Sequence, residues 1–493
     1  AARGEEFVIG DTAFRFTGVN LRGAAHYGGG DVLPYTTAQH RIENLDSIAA
    51  MGGTVIRVFA PIPQITVAQN IARLGTLLDQ CEARGLRVIV ALTDFYHASG
   101  FRVPGDDPYY TGGHLNSAFF SGGYQTNYLP WVRQVVAAHA GHSAVFAWEI
   151  GNELTAYTGG VPADIFPFVA GVAAEIRALD PGTMIAFGGI NVQHLGVVPR
   201  TGGQTLAMFA DPNIDFVTLH IYNDEYTGDA DDTFRVAYAV EKPIIIEETG
   251  LNPSLFANRP ATLAAEMADW LDARGARGIL QWGFQSQTFD IGDGDGLFGM
   301  DPNFFAFDWA AMRSTYQTRA TLFAANPPVV PEIALPEGTN VAPGSVAWAS
   351  SSNFSPAYGP DRAIDGVISD ASKWTSSGAS ATSWMALDLG QVWRLHGAIV
   401  RSAGSAFELV AYNTTDLQVQ TGDSLAGPWT TRFTFSDPRS RNRAVCRFAS
   451  PVDARFVRLL ITDAGIDNHA RIPEFEVYAT PATTAVHSGF LYR

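Results

Sequence analysis

The sequence predicts a parallel α/β barrel followed by an all-β sandwich, and three observations carry that expectation. Through the first two thirds of the chain, short apolar runs alternate with amphipathic segments, the pattern of a parallel sheet wrapped by helices. Eight such runs fit a closed (β/α)8 barrel, or TIM barrel, better than an open doubly wound sheet. Beyond a proline-rich break near Ala325 the texture changes to short alternating runs between Gly, Ser, Asp and Pro clusters, as in a β-sandwich.

The predicted strands cover residues 14–19, 54–59, 87–92, 145–150, 184–187, 216–220, 243–247 and 278–282. Between them, residues 37–51 place Ile42, Leu45, Ile48 and Ala49 at helical spacing and stop at Gly52-Gly53. Residues 67–84 line Ile71, Leu74, Leu78 and Cys81 along one face and stop at Gly85. Similar signals mark helices at 124–139, at 166–179 before Asp180-Pro181, and at 262–274 before Gly275. Residues 326–336 are rich in proline without a period, which predicts a semi-rigid linker. In the last third, runs at 383–389, 398–401, 417–420, 456–461 and 474–477 alternate apolar with polar. The expected organisation is a barrel over 1–325, a linker over 326–339, a sandwich over 340–480 and a tail over 481–493.

Composition sets bounds on function. Of 493 residues, 46% are hydrophobic and only 16% charged, ample for a large core. A net charge of −17 repels phosphate backbones and anionic membrane surfaces, so nucleic acid is excluded as a partner. No run of about 20 apolar residues exists to span a membrane. The chain opens at Ala1-Ala-Arg-Gly without a basic and apolar leader, which fits a mature terminus after signal removal. Cys81 and Cys446 fall in different predicted domains and are expected to be buried free thiols. Eleven histidines show no paired zinc spacing, so no metal or cofactor is expected in catalysis. Oligomeric state is left open.

Two stretches carry chemistry. Val145-Phe-Ala-Trp-Glu-Ile-Gly-Asn-Glu-Leu154 reads as a buried strand ended by Gly151, with Asn152 and Glu153 projecting beyond its carboxyl end, where parallel α/β proteins place their ligands. Lys242-Pro-Ile-Ile-Ile-Glu-Glu-Thr-Gly250 is a second apolar run, ending in two glutamates. Because successive strand residues point to opposite faces, at most one of these glutamates is expected at the barrel mouth, and Glu248 is the choice. Two carboxylates on one rim suggest glycoside hydrolysis, which needs a general acid beside a nucleophile or base.

At this point the sequence resembles a known family. Gly18-Val-Asn20, Arg57, Trp148-Glu-Ile-Gly-Asn-Glu153, His220-Ile-Tyr222, Glu248-Thr-Gly250 and Gln281-Trp282 occur in the order found in retaining glycoside hydrolases of family 5. The resemblance implies Glu153 as acid/base and Glu248 as nucleophile. It implies that Asn152 bonds the sugar 2-hydroxyl, that Arg57 and Tyr222 orient the nucleophile, that His220 lines the −1 pocket, and that Trp282 forms its floor. Lys242-Pro-Ile-Ile-Ile-Glu-Glu is similar to the corresponding strand of endo-β-1,4-mannanases, which implies action on β-1,4-mannan. The chain departs from that group at Thr93-Asp-Phe95 and Asn152-Glu-Leu-Thr155, so a β-mannosidase or a β-1,4-glucanase stays open, as does a non-catalytic carbohydrate-binding protein. A polysaccharide or oligosaccharide partner and a secreted, extracellular or periplasmic location accompany the resemblance.

Two loops are candidates to shape a cleft. The excursion over 101–123 carries Tyr109, Tyr110, Phe119 and Phe120 as sugar-stacking candidates. The run Asp290-Ile-Gly-Asp-Gly-Asp-Gly296 resembles half a calcium loop but lacks the closing glutamate, so a solvated acidic loop is favoured.

The C-terminal module carries Asn340-Val-Ala-Pro-Gly, Ala363-Ile-Asp-Gly366, Lys373-Trp-Thr-Ser376, Trp384-Met-Ala-Leu-Asp-Leu-Gly390 and Arg471-Ile-Pro-Glu-Phe-Glu-Val477. These resemble a discoidin, or factor 5/8 type C, domain, a jelly-roll sandwich that serves in hydrolases as a family 32 carbohydrate-binding module. The resemblance implies one structural calcium on Asp365, Ser372 and Glu474 with the carbonyls of Arg362, Val367 and Pro473. Trp348, Phe354, Tyr358 and Trp429 are its aromatic candidates for a sugar. Lipid adhesion would need a basic cluster, and Arg439-Ser-Arg-Asn-Arg443 is better explained as a solvated loop.

Overall fold

The computed structural model describes residues 1–28, 37–155, 164–192, 208–223, 228–288, 295–350, 353–380, 382–436 and 442–482. The chain forms two compact units, Ala1–Pro331 and Glu332–Arg493.

In the first unit eight strands alternate with helices: β1 (Phe16–Asn20), β2 (Val55–Phe59), β3 (Arg87–Ala91), β4 (Val145–Glu149), β5 (Met184–Ala186), β6 (Val217–Tyr222), β7 (Ile244–Gly250) and β8 (Gly278–Gln281). Their order in the sheet is β5-β4-β3-β2-β1-β8-β7-β6, all parallel, and a parallel bridge from Ala186 to Phe216 joins the two ends. Sequential order with joined ends is a closed barrel, which removes the doubly wound alternative. All residues of β1, β2, β4 and β5 are buried, as expected for strands covered on both faces. A glycine is required in β1: a Cβ on Gly18 would lie 1.7 Å from the Val55 carbonyl oxygen of β2.

Around the barrel lie α1 (Ala38–Ala50), α2 (Val67–Glu82), α3 (Tyr128–His139), α4 (Ile165–Leu179), α5 (Gly228–Ala239), α6 (Arg259–Met267) and α7 (Trp309–Ala324). Thr37 with His40 and Thr66 with Gln69 form capping boxes that start α1 and α2. The helix expected at 262–274 starts earlier, with the Asn258 side chain accepting from the Ala261 amide, and its last turns relax to a π-helix over Ala268–Ala273. Sequence periodicity missed α5 and α7. In α7 only Met312, Tyr316 and Arg319 are buried, a stripe too narrow to stand out.

The amino-terminal end of the barrel is closed by a small hairpin that periodicity also missed. Short strands at Glu6–Ile9 and Thr12–Ala13 deliver Phe7 against Phe16, Phe146 and Phe216, with ring centroids 5.9, 5.2 and 5.3 Å away. Residues expected to be linker extend this hairpin: Ala13 donates to the Pro328 carbonyl and Val330 to that of Asp11.

The second unit is built on β9 (Ser383–Arg401), β10 (Asp416–Gly422), β11 (Trp429–Ser436), β12 (Arg443–Asp463) and β13 (Glu474–Pro481). With the short strand Thr339–Asn340 they form an antiparallel sheet whose order, from that strand, is β13-β9-β12-β10-β11, and Val346–Ala349 pairs with β9. Trp374–Thr375 and Arg471–Ile472 form a second, two-stranded sheet. The core between includes Trp374, Leu387, Val457, Leu459, Phe475 and Val477. The separate runs expected at 383–389 and 398–401 are two ends of β9, interrupted by irregular register between Asp388 and Trp393. Both cysteines are buried and free.

Candidate active site

The carboxyl end of β4 begins the site. Glu149 is the last strand residue and is fully buried; after Gly151 the chain leaves the sheet, and Glu153 takes a left-handed backbone with φ 53°. That conformation is costly for a residue with a Cβ, roughly 1–3 kcal/mol. It is held by Asn152 N–H donating to the Thr93 carbonyl at 2.9 Å and Glu153 N–H to that of Gly188 at 2.7 Å.

Arg57, the middle residue of β2, ties the carboxylates together. Its Nε and Nη2 donate to the two oxygens of Glu149 at 2.6 and 2.7 Å, Nη2 to Asn152 Oδ1 at 2.7 Å, and Nη1 to Glu248 Oε1 at 2.5 Å. Nη1 also donates to Asn20 Oδ1 at 3.2 Å. Burial opposes a charge here, but Glu149, Glu247 and Glu248 outweigh it and raise the guanidinium well above its ordinary value.

The strand-alternation expectation for β7 is corrected by the structure. Leu219 of β6 pairs with Ile246, but the next residue, His220, pairs with Glu248, so two residues of β7 oppose one step of β6. This bulge turns both Glu247 and Glu248 toward the same pair of bases. Glu248 accepts from Arg57 and, at 2.6 Å, from the Tyr222 hydroxyl; Glu247 Oε2 lies 3.3 Å from His220 Nε2 and its Oε1 lies 3.8 Å from Arg57 Nε.

His220 sits among three carboxylates. Its Nδ1 is 2.6 Å from Glu153 Oε1 and 3.5 Å from Glu248 Oε2, while Nε2 faces Glu247. Burial alone lowers its pKa, but Glu248, Glu153 and Glu247 raise it to about 10. Reciprocally, burial works to protonate Glu153 and is overcome by the His220 bond and charge and the Tyr96 hydroxyl, so its pKa is lowered. Burial, with the Glu153 charge, raises Glu248 against the pull of His220 and Arg57. Glu149 is pushed up to about 8 by burial, with Glu247 adding to it and Arg57 opposing. One donor atom from each of Glu153, His220 and Glu248 lies within 4.8 Å of the others.

The structure thus brings Arg57, Asn152, Glu153, His220, Tyr222 and Glu248 together. Trp282 follows β8 at the same end, half-buried, with Phe59 6.4 Å away and the Arg22 guanidinium 5.3 Å from its ring centroid. Sequence reasoning missed Glu149, Glu247, Tyr96 and Asp94. Asp94 accepts from Asn152 Nδ2 at 2.9 Å and is raised to about 7, chiefly by burial. For Glu149 and Glu247 the available signal was a charged residue inside an apolar strand, rare unless partnered.

Two of the four loop aromatics are corrected. Phe119 and Phe120 are buried, packing on Phe168 at 5.6 and 5.4 Å, because the short helix Ser117–Phe120 folds back on α4. Tyr110 donates to the Asp94 carbonyl at 2.6 Å and Tyr109 to Thr126 at 3.3 Å. The acidic stretch from Asp290 lies largely outside the described residues, as does most of the cluster from Arg439.

In the second unit, Ser372 Oγ donates to Asp365 Oδ2 at 2.5 Å and Gly366 N–H reaches Glu474 at 3.2 Å. Burial and the Asp365 charge raise Glu474 to about 7. Two carboxylates and a hydroxyl, all oxygen donors, fit a hard divalent cation. Phe354 is exposed, Trp348 and Tyr358 are half-buried, and Trp429 is half-buried beneath the Arg458 guanidinium.

Comparison with known proteins agrees with this fold. Residues 12–289, more than half of the chain, match the sequence model of cellulase, glycosyl hydrolase family 5, and residues 347–475 match that of the F5/8 type C domain. The chain is 28% identical over 203 residues to mannan endo-1,4-beta-mannosidase F of Aspergillus fumigatus, covering 38% of this chain and 45% of that protein. It is 27% identical over 238 residues to a probable mannan endo-1,4-beta-mannosidase A-1 of Aspergillus terreus, covering 45% and 59%. The chain spans about half the length of the curated relatives it matches. The endo-1,4-beta-mannanase of Rhizomucor miehei superposes with a TM-score of 0.51 at 16% identity, over 65% of this chain and 99% of that one, a likeness of fold. The chain belongs to glycosyl hydrolase family 5, and an F5/8 type C domain follows the family barrel in the sequence.

Proposed function

We propose that the protein is a retaining β-glycoside hydrolase acting on β-1,4-mannan. The observation that carries this reading is the meeting of Glu153 and Glu248 across one gap, with carboxylate oxygens within 4.8 Å. Retaining glycosidases hold their two carboxyl groups about 5–5.5 Å apart, whereas inverting ones leave room for a water at about 6.5–9.5 Å. The names of the curated relatives support mannan as substrate.

Glu248 is the nucleophile: Arg57 and Tyr222 fix its two oxygens, one each, and favour the carboxylate. Glu153 protonates the leaving oxygen and then activates water. Asn152 commits its Oδ1 to Arg57 and one amide hydrogen to Asp94, leaving a hydrogen for the sugar 2-hydroxyl. Trp282 provides an apolar ring face beneath the −1 sugar.

The test is product analysis on manno- and cello-oligosaccharides with an NMR readout of the first-formed anomer. Retention on manno-oligosaccharides, lost in Glu153→Ala and Glu248→Ala, is the expected result; no cleavage of either series by wild type overturns it. Cleavage of the cello series alone would select the β-1,4-glucanase reading, which the description of the matching family favours. Attack confined to the chain end would select β-mannosidase.

In the C-terminal module Asp365, Ser372 and Glu474, with the carbonyls of Arg362, Val367 and Pro473, would hold one calcium ion, which supplies charge compensation and rigidity. Chelation is expected to lower the unfolding temperature of the full chain and calcium to restore it, since an ion at 100 times its Kd contributes about 2.7 kcal/mol. The module's ligand is carbohydrate and the protein acts outside the cell. No helix among the described residues is long and apolar enough to cross a membrane.

A further inference from the structure

Glu247 has no part in the chemistry above, yet it is placed as closely as the nucleophile beside it. The β7 bulge turns it inward, its side chain is sealed from solvent, and its Oε1 has no hydrogen-bond donor. Among the described residues its side chain makes one hydrogen bond, to His220 Nε2 at 3.3 Å, with Arg57 Nε an ion-pair neighbour 3.8 Å from Oε1. A buried carboxylate with one donor costs several kcal/mol if that donor is withdrawn. The proton on Nε2 is therefore pinned, and Nδ1, 2.6 Å from Glu153, is the nitrogen left to exchange one.

Building on the glycosidase reading, we propose that Glu247 is a positioning residue that fixes the His220 tautomer, so that His220 Nδ1 and Glu153 share the proton destined for the leaving group. At rest the proton is on Nδ1 and Glu153 is a carboxylate. It passes to Glu153 Oε1, leaving a neutral imidazole with its hydrogen on Nε2. Glu153 gives it to the glycosidic oxygen as the C1–O bond breaks and its electron pair leaves on that oxygen, while a Glu248 oxygen bonds to C1. Water then attacks C1, the bond to Glu248 breaks, and the water's proton returns through Glu153 to Nδ1. The raised His220 and lowered Glu153 pKa values accord with this resting state. The charged and titratable groups around the pair are Glu247 and Glu248 on β7, Glu149 on β4, Arg57 on β2, Tyr222 on β6, and Asp94 and Tyr96 beyond β3.

The experiment is Glu247→Gln in the full chain, assayed on mannopentaose and on 2,4-dinitrophenyl β-mannobioside, whose phenolate leaves without a proton. Expected on mannopentaose is a fall in kcat of about 10-fold or more with KM within about two-fold. The basic limb of kcat/KM should move down by about one pH unit or more, because the negative charge that favours protonation of the pair is gone. On the dinitrophenyl substrate kcat/KM should stay within about three-fold of wild type, the leaving group needing no acid. An equal fall on both substrates with an unmoved basic limb overturns the proposal. If the variant does not fold, nitrogen NMR of wild-type His220 decides: both ring nitrogens protonated at neutral pH, giving way to an Nε2–H tautomer, supports it, and a neutral Nδ1–H tautomer overturns it. Absence of cleavage of either substrate by wild type would count against the glycosidase reading, and the NMR result would still judge the tautomer.

Discussion

The two ends of the barrel are made from the same eight strands and hold opposite chemistry. At the amino-terminal end Phe7 is wedged among Phe16, Phe146 and Phe216, with Phe14 half-buried beside them. At the carboxyl end Glu149, Glu153, Glu247 and Glu248 gather around Arg57 and His220. Within β4 the change takes three residues, from Phe146 to Glu149. One end lowers free energy by removing apolar surface from water, and the other holds buried charges that only mutual pairing makes tolerable. That division lets each end be perturbed separately.

The largest expected effect is at the carboxylate end. Glu248→Gln should lower kcat by about 10³-fold or more with a loss of stability smaller than that of Phe7→Ala, because Arg57 keeps Glu149 as a partner, checked by steady-state assay and calorimetry on one preparation. Phe7→Ala should do the reverse, costing about 3–5 kcal/mol in denaturant unfolding with little change in kcat. Equal losses of activity and stability in either variant would break the comparison. Gly188→Ala should sharpen it. Gly188 has φ +83°, and a Cβ there would sit 2.3 Å from Glu149 Oε1 and 2.5 Å from the Gly151 carbonyl oxygen. Displacing Glu149 moves Arg57, and with it Glu248, so kcat should fall by up to about 100-fold with a smaller loss of stability.

The smallest expected effect is on stability against pH. His220 is raised to about 10 and Glu149 to about 8, so the folded protein holds protons that the unfolded chain has released. For His220 this stabilisation is complete below its unfolded value of about 6.5 and is lost as pH rises through 10. Glu149 adds a loss of the same sign as pH rises through 8. The unfolding temperature should therefore fall by a few degrees between pH 7 and 10. His220→Gln should flatten that fall, whereas Phe7→Ala should shift the curve without changing its slope.

Much of this was legible from the chain alone. All eight barrel strands were, because each is an apolar run of the right length between turn signals, and so were Glu153 and Glu248, because glutamates end two of those runs. The base plug was not, since Glu6–Ile9 is too short to show a period and its role depends on partners such as Phe146 and Phe216. Helix α7 escaped for lack of a broad apolar face. Phe119 and Phe120 were misread as sugar platforms, because an aromatic in a long loop has the same sequence signature whether it faces a cleft or folds back on a helix.

The sequence by itself determined the number and polarity of the barrel strands, the ends at which glutamates emerge, and the change to alternating β-structure in the last third. Those are local matters, set by side-chain periodicity and turn chemistry within a few residues. Only the tertiary structure decided that Glu247 and Glu248 face the same bases, since a bulge is a mismatch of register between two strands and neither records it alone. The sharing of Arg57 by Glu149 and Glu248, and of His220 by Glu153 and Glu247, was settled there too. Charges this deeply buried have no stable arrangement except one another's company, and the residues that supply it lie far apart in the chain.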